Sequence, residues 1–278
     1  MKFTRKKLLH IVMHILKELK DPYYAGAPAE LAFFFLLSFV PLTVLLGQAL
    51  GVLSVSTEWL KSIIASQATA SLANIVNEIL INDPPKSMNI ILILVIAWAS
   101  SRGQYSLIRI SNYAYEHGGI SYSYIHERIR AIKTVVLTLI IIVFSLTILV
   151  YGEIIIKGVA FYFDQTRGSE FLVKNIWFII RWPIAATIYL FTIGFTYMIL
   201  PAEKLHIREI IPGTIFASTF ILLASVIYSQ YIFSFKYTGL IYGSLATVVA
   251  LMLWLYIIGF ILVIGILFNI AYRDIVEG

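Results

Sequence analysis

The sequence predicts an all-α protein: a polytopic membrane bundle of six transmembrane helices. An N-terminal amphipathic helix would lie at the interface, with short outer-face helices between the first and second spans. Three observations carry this prediction. Hydrophobic residues make up 60% of the 278-residue chain and charged residues only 13%, about half the charge a soluble domain uses to clothe its surface. The apolar residues gather into stretches of about 20, the length that crosses a ~30 Å hydrocarbon core. Basic residues are distributed unevenly between those stretches, as the orientation rule for membrane helices requires. The absence of cysteine excludes disulfides, thiolate catalysis and thiolate metal sites.

Residues 1–28 begin with a basic cluster, but His10, His14, Lys17 and Glu18 interrupt the apolar run that a signal peptide needs. Leu8, Val12, Ile15, Leu16 and Leu19 instead recur at helical spacing. They predict a cytoplasmic amphipathic helix lying on the inner leaflet, its lysines near anionic headgroups. His10 and His14 sit one turn apart, but no third metal ligand is nearby.

The first span covers about 29–53. Glu30, Ser38 and Gln48 are spread along it, and Pro41 removes one backbone hydrogen bond in mid-span, which can kink the helix and free a carbonyl to face a cavity. Residues 57–86 are too polar to span, yet Ile63, Ile64, Leu72, Ile75, Ile79 and Leu80 keep helix-like intervals up to Pro84-Pro85. One or two short outer-face helices are expected there, as a cap over the bundle or as a lid.

The second span is the unusual one. Its clean apolar run, Ile90 to Ala99, is too short to cross, so a span of about 88–108 must absorb Ser100, Ser101, Arg102, Gly103 and Gln104. Arg102 lies about 21 Å from Met88 along a helix rising 1.5 Å per residue, roughly 9 Å short of the inner edge of a ~30 Å core. Two readings stay open: the side chain snorkels to the headgroups, or Arg102, Ser100, Ser101 and Gln104 face a wet cavity on the cytoplasmic side. The following loop carries Tyr113, Tyr115, Tyr122, Tyr124, Arg128, Arg130 and Lys133. It should be mostly helix, anchored at the interface and feeding the third span.

The third span covers about 134–156 and the fourth 176–200, ended by Pro201. Arg181 stands between Trp177 and Trp182, either in an interfacial belt or as a cation attracting an outer-leaflet headgroup. The fifth span is expected over 212–233 with Pro212 in its first turn, and the sixth over 245–271, followed by a tail of 272–278. Gly243 and Ser244 would begin the sixth helix, where free N–H groups can hold an anion. Gly47-x-x-x-Gly51 and Gly239-x-x-x-Gly243 read as close-packing motifs.

With the N-terminus inside, fourteen of the 21 basic residues fall in cytoplasmic segments and six outside, with Arg181 at the edge of the fourth span. Both termini are therefore expected in the cytoplasm, in a bacterial cytoplasmic membrane.

The pattern resembles a known family. Ala29-Glu-Leu-Ala-Phe-Phe-Phe-Leu-Leu-Ser-Phe-Val-Pro-Leu42 is similar to the first-span signature of the YihY/virulence factor BrkB family, with Ser38 and Pro41 at its serine and proline. Ala97-Trp-Ala-Ser-Ser101 with Asn112 and Tyr115, Pro212-Gly213, and Tyr242-Gly-Ser-Leu-Ala246 with Trp254-Leu-Tyr256 match in the same order. The resemblance covers nearly the whole chain and implies six inner-membrane spans. Where members often read Gly-Ala-Glu-Leu-Asn in the sixth helix, this chain reads Gly265-Ile-Leu-Phe-Asn269, with Leu267 at the acidic position.

The family was once labelled ribonuclease BN, but the fifteen acidic residues are scattered, and no carboxylate cluster, phosphate loop or nucleophile motif is present. The chain is therefore expected to be no enzyme, with no cofactor and no metal. The expected activity is movement of a lipid or other amphipathic or anionic envelope substrate. The candidate pathway residues are Glu30, Ser38, Pro41, Gln48, Ser100, Ser101, Arg102, Gln104, Arg181, Gly243, Ser244 and Asn269. Membrane lipids and anionic headgroups are the expected partners, with a second copy or an envelope-assembly protein as protein partner and no nucleic acid. The alternative is a non-transporting scaffold for envelope assembly.

Overall fold

A computed structural model describes residues 5–52, 90–116, 123–163, 169–235 and 239–277. The described residues form eight helices in chain order: α1 (Arg5–Glu18), α2 (Pro22–Val52), α3 (Ile90–Ser100), α4 (Arg102–Tyr115), α5 (Tyr124–Phe163), α6 (Ser169–Ile199), α7 (Ile207–Phe235) and α8 (Gly239–Glu277). The outer-face helices expected between 57 and 86 lie outside the described residues.

Three of these helices contain segments long and apolar enough to cross a membrane: Trp182–Ile199, Ile207–Tyr231 and Val248–Ile275. Phe144, Ile179 and Ile227 are 65%, 68% and 69% exposed, which water would penalise and hydrocarbon does not. α5 is 40 residues long, about 60 Å at 1.5 Å per residue, and it begins at Tyr124, so the basic, tyrosine-rich segment ahead of residue 134 runs as helix straight into the apolar run. α6 stops at Ile199, just before Leu200 and Pro201, because proline disfavours helical backbone in the residue before it.

α2 runs unbroken through Pro28 and Pro41. α7 corrects one expectation: it starts at Ile207, so Pro212 lies inside the helix rather than in its first turn. The segment Ile207–Ile211 extends the helix on the polar side of the apolar run. α8 likewise starts at Gly239, so Gly243 and Ser244 fall a turn inside the helix rather than at its beginning.

The buried core joins one end of α2 with α4, α7 and the second half of α8, through residues such as Leu31, Ile108, Ala217, Val263 and Ile266. α1 closes that end of the bundle, and here a second expectation changes. Ile11 and Ile15 are buried, while Leu9, Val12, Met13 and Leu16 are exposed. α1 thus docks one apolar stripe against α8 and leaves another uncovered. His14 Nε2 reaches Asp274 Oδ2 at 3.9 Å.

Candidate functional site: a broken helix closed by serine and arginine

The second apolar segment is two helices, not the single helix expected. α3 ends at Ser100 and α4 begins at Arg102, with Ser101 between them at φ −80°, ψ 0°. A side chain inserted into the hydrogen-bond ladder opens a helix in this way, and here the inserted group is Ser38 of α2. Its hydroxyl donates to the Ala99 carbonyl at 3.4 Å and accepts from the Gly103 N–H at 3.3 Å. In an uninterrupted helix those two backbone groups would bond to each other.

The other carbonyls at the break are also satisfied. Ser100 Oγ donates to Ala97 O at 3.0 Å, and Ser101 Oγ to Trp98 O at 2.9 Å. Arg128 Nη2, reaching from α5, donates to the same Trp98 carbonyl. Its guanidinium carbon lies 4.3 Å from the centre of the Trp98 indole and 5.4 Å from that of Tyr105. Ser38, Ser100, Ser101 and Arg128 are all buried. Gly103 allows the close approach: a Cβ there would stand 2.5 Å from Phe35 Cδ1.

The polarity of this segment is therefore spent on a packed seam. Ser38, Ser100 and Ser101 bond to backbone within it and do not line a wet cavity. Arg102 is different, since it is exposed and its guanidinium carbon lies 5.9 Å from the Phe34 ring centre. Leu94 and Trp98, eight and four residues before it, are also exposed. Gln104 is partly buried, and its Oε1 has no hydrogen-bond partner.

Below the break, α4 is clasped to its neighbours. Glu30 accepts from Ser106 Oγ at 2.8 Å and from Arg109 Nη2 at 3.2 Å. The ion pair is partly exposed, 41% for Arg109 and 28% for Glu30, so it contributes at most about 1 kcal/mol. Tyr113 stacks on Tyr23 at 4.0 Å and donates to Asp21 Oδ2 at 2.9 Å; that bond holds the phenol above its ordinary pKa.

Asn112 is a hub that sequence reasoning did not single out as a site. Its Nδ2 donates to buried Glu127 at 2.8 Å, and its Oδ1 accepts from Arg130 Nη2 at 3.2 Å and from the Ala202 N–H at 2.9 Å. One side chain thereby ties together α4, α5 and the turn after α6. The available signal was its place in the second-helix motif. Arg128 was read as an interfacial anchor; nothing in its spacing indicated that it caps α3.

Asn269 lies elsewhere, between α7 and α8, and its Oδ1 accepts from the Gly213 N–H at 2.6 Å. A Cβ at Gly213 would collide with the Gly265 carbonyl, so the two helices approach backbone to backbone. Leu267, where the family resemblance led to the expectation of an acidic residue, is 1% exposed in the apolar core. Pro41 lies within continuous α2 and Gly243 within α8, and the side chains of Gln48, Arg181 and Ser244 lie outside what the structure describes.

The family model for virulence factor BrkB matches residues 15–277. The chain belongs to the BrkB family. Among its relatives is the ribonuclease-like protein YfkH of Bacillus subtilis, 28% identical over 91% of this chain and 93% of that protein. A UPF0761 membrane protein of Aggregatibacter aphrophilus is 31% identical over 34% of this chain and 32% of its own length. Another, from Haemophilus influenzae, is 29% identical over 42% and 45% respectively. No solved structure matches. With its apolar helices and these relatives, this BrkB-family chain is a membrane protein. Among the described residues no three His, Asp or Glu side chains gather as a metal site.

Proposed function

We infer that this BrkB-family protein moves a lipid or other amphipathic, anionic envelope substrate across a bacterial cytoplasmic membrane, without enzymatic chemistry. It would do so as six spans with both termini in the cytoplasm. The observation that carries the reading is Arg102, exposed at the start of α4 where the second apolar segment breaks. Broken helices and ionisable residues at membrane depth mark substrate pathways. Because Ser38 and Ser101 are buried in a packed seam, the route runs along the outer wall of the bundle beside Arg102, not through its middle.

The test is reconstitution into liposomes holding fluorescent phospholipid in one leaflet. The reading predicts exchange well above that of empty liposomes, reduced by Arg102→Ala. Exchange equal to empty liposomes across several headgroups would overturn it.

A scaffold for envelope assembly is the second reading, favoured by the uncovered stripe Leu9, Val12, Met13 and Leu16 on α1. Loss of cellular function on Met13→Glu, with Arg102→Ala harmless, would decide for the scaffold.

A further inference from the structure

We propose that Arg102, at the start of α4, and Arg128, bonded to the end of α3, together bind the phosphate of an anionic phospholipid headgroup. The proposal deepens the translocation reading and rests on it for the source of the phosphate. The geometry of the site stands separately. Arg128 is 2% exposed and forms no ion pair among the described residues. Its Nε is buried without a hydrogen-bond partner. A buried charge is costly unless it is paired.

What Arg128 has is partial compensation: one carbonyl at the end of α3 and two aromatic faces. These return only part of the cost of burying a cation. Arg102, which opens α4 four residues after Trp98, adds a second positive charge at the same break. The carboxylates on the adjoining helices are occupied elsewhere, Glu30 by Ser106 and Arg109, and Glu127 by Asn112. Two arginines thus flank one break, and neither forms an ion pair among the described residues, which is the electrostatic demand for an anion.

Three further features select phosphate on a lipid. Guanidinium presents paired N–H donors that match phosphate oxygens. α4 begins at Arg102, and Ser101 provides no side-chain cap; Ser38 takes the Gly103 N–H, so the positive end of the helix beside the two arginines is only partly compensated. Trp98 and Tyr124, 43% and 54% exposed, stand next to the arginines as an apolar wall against which acyl chains can lie.

The experiment is native mass spectrometry of the purified full chain released from micelles that contain phosphatidylglycerol or phosphatidylcholine. Arg102→Gln and Arg128→Lys are measured beside the unaltered chain, and thermal unfolding verifies that each is folded. Arg102 is exposed, so its replacement leaves the seam intact. Arg128→Lys keeps the charge but loses the paired donors.

The expected result is at least roughly ten-fold greater retention of phosphatidylglycerol than of phosphatidylcholine, whose choline opposes the arginines. Retention should fall about ten-fold in Arg102→Gln and several-fold in folded Arg128→Lys. Equal retention of both lipids, or unchanged retention in Arg102→Gln, overturns the site. Displacement of bound lipid by millimolar inorganic phosphate supports the arginines as a phosphate site. Binding of inorganic phosphate with no lipid preference overturns the lipid as its source. Selective retention without leaflet exchange sustains the site and removes the translocation reading; exchange well above empty liposomes without selective retention does the reverse.

Discussion

Replacing Ser38 with alanine removes the oxygen that stands between the Ala99 carbonyl and the Gly103 N–H. Both backbone groups are then left inside a buried seam. A buried polar group without a partner costs about 1–3 kcal/mol. The two bonds are long, 3.4 and 3.3 Å, so the lower end applies to each and the total is about 2 kcal/mol. Direct re-bonding of Gly103 to Ala99 is opposed by Phe35, packed against Gly103, and by Arg128, held on the Trp98 carbonyl. A loss of about 2 kcal/mol lowers the folding constant roughly thirty-fold and the midpoint of thermal unfolding by roughly 4–8 °C.

The assay is thermal unfolding in one detergent followed by tryptophan fluorescence, with Trp98 beside the break. Ser111→Ala is the control, because Ser111 is also buried and its hydroxyl has no partner; its removal should be nearly neutral. If Ser38→Ala and Ser111→Ala unfold together, the Ser38 hydroxyl is not holding the break and the reasoning fails.

Two other substitutions test the close contacts. Gly213→Ala should destabilise strongly, since its Cβ would meet the Gly265 carbonyl and Asn269. Gly26→Ala, with no atom within 4 Å, should stabilise α2 by about 0.5–1 kcal/mol. Equal midpoints for the two alanine variants would contradict the backbone-to-backbone packing of α7 and α8. Asn112→Leu should cost about 2–3 kcal/mol, because it leaves the buried Glu127 carboxylate without its donor. Asn112→Leu combined with Glu127→Gln should recover part of that loss in the same unfolding assay.

Composition and apolar length were enough to identify an all-helical membrane chain, and Pro201 marks a helix limit that a single sequence makes legible. The break at Ser101 was visible only as misplaced polarity. Its cause, a hydroxyl 61 residues away from the carbonyl it contacts, is a tertiary contact that no periodicity encodes. The same limit explains α1: apolar residues occur on two of its faces, and helical spacing cannot say which meets α8 and which stays uncovered. Glu30 was read as part of a pathway because its polarity was visible while its partners Ser106 and Arg109, on another helix, were not. Asn112 and Gly213 were legible only as motif positions and Asn269 as a motif position and pathway candidate, and their packing roles required the fold.

The most direct test of the closed break uses the absence of cysteine in the natural chain, which makes every single-cysteine variant uniquely labelled. A water-soluble, membrane-impermeant thiol reagent reacts with a thiolate only where water reaches it. Ser38→Cys and Ser101→Cys, placed in inside-out membrane vesicles, should resist the reagent, while Lys17→Cys on the exposed side of α1 is labelled rapidly. Labelling of positions 38 and 101 at the rate of position 17 would mean that water fills the seam, and would contradict a break closed by serine and arginine.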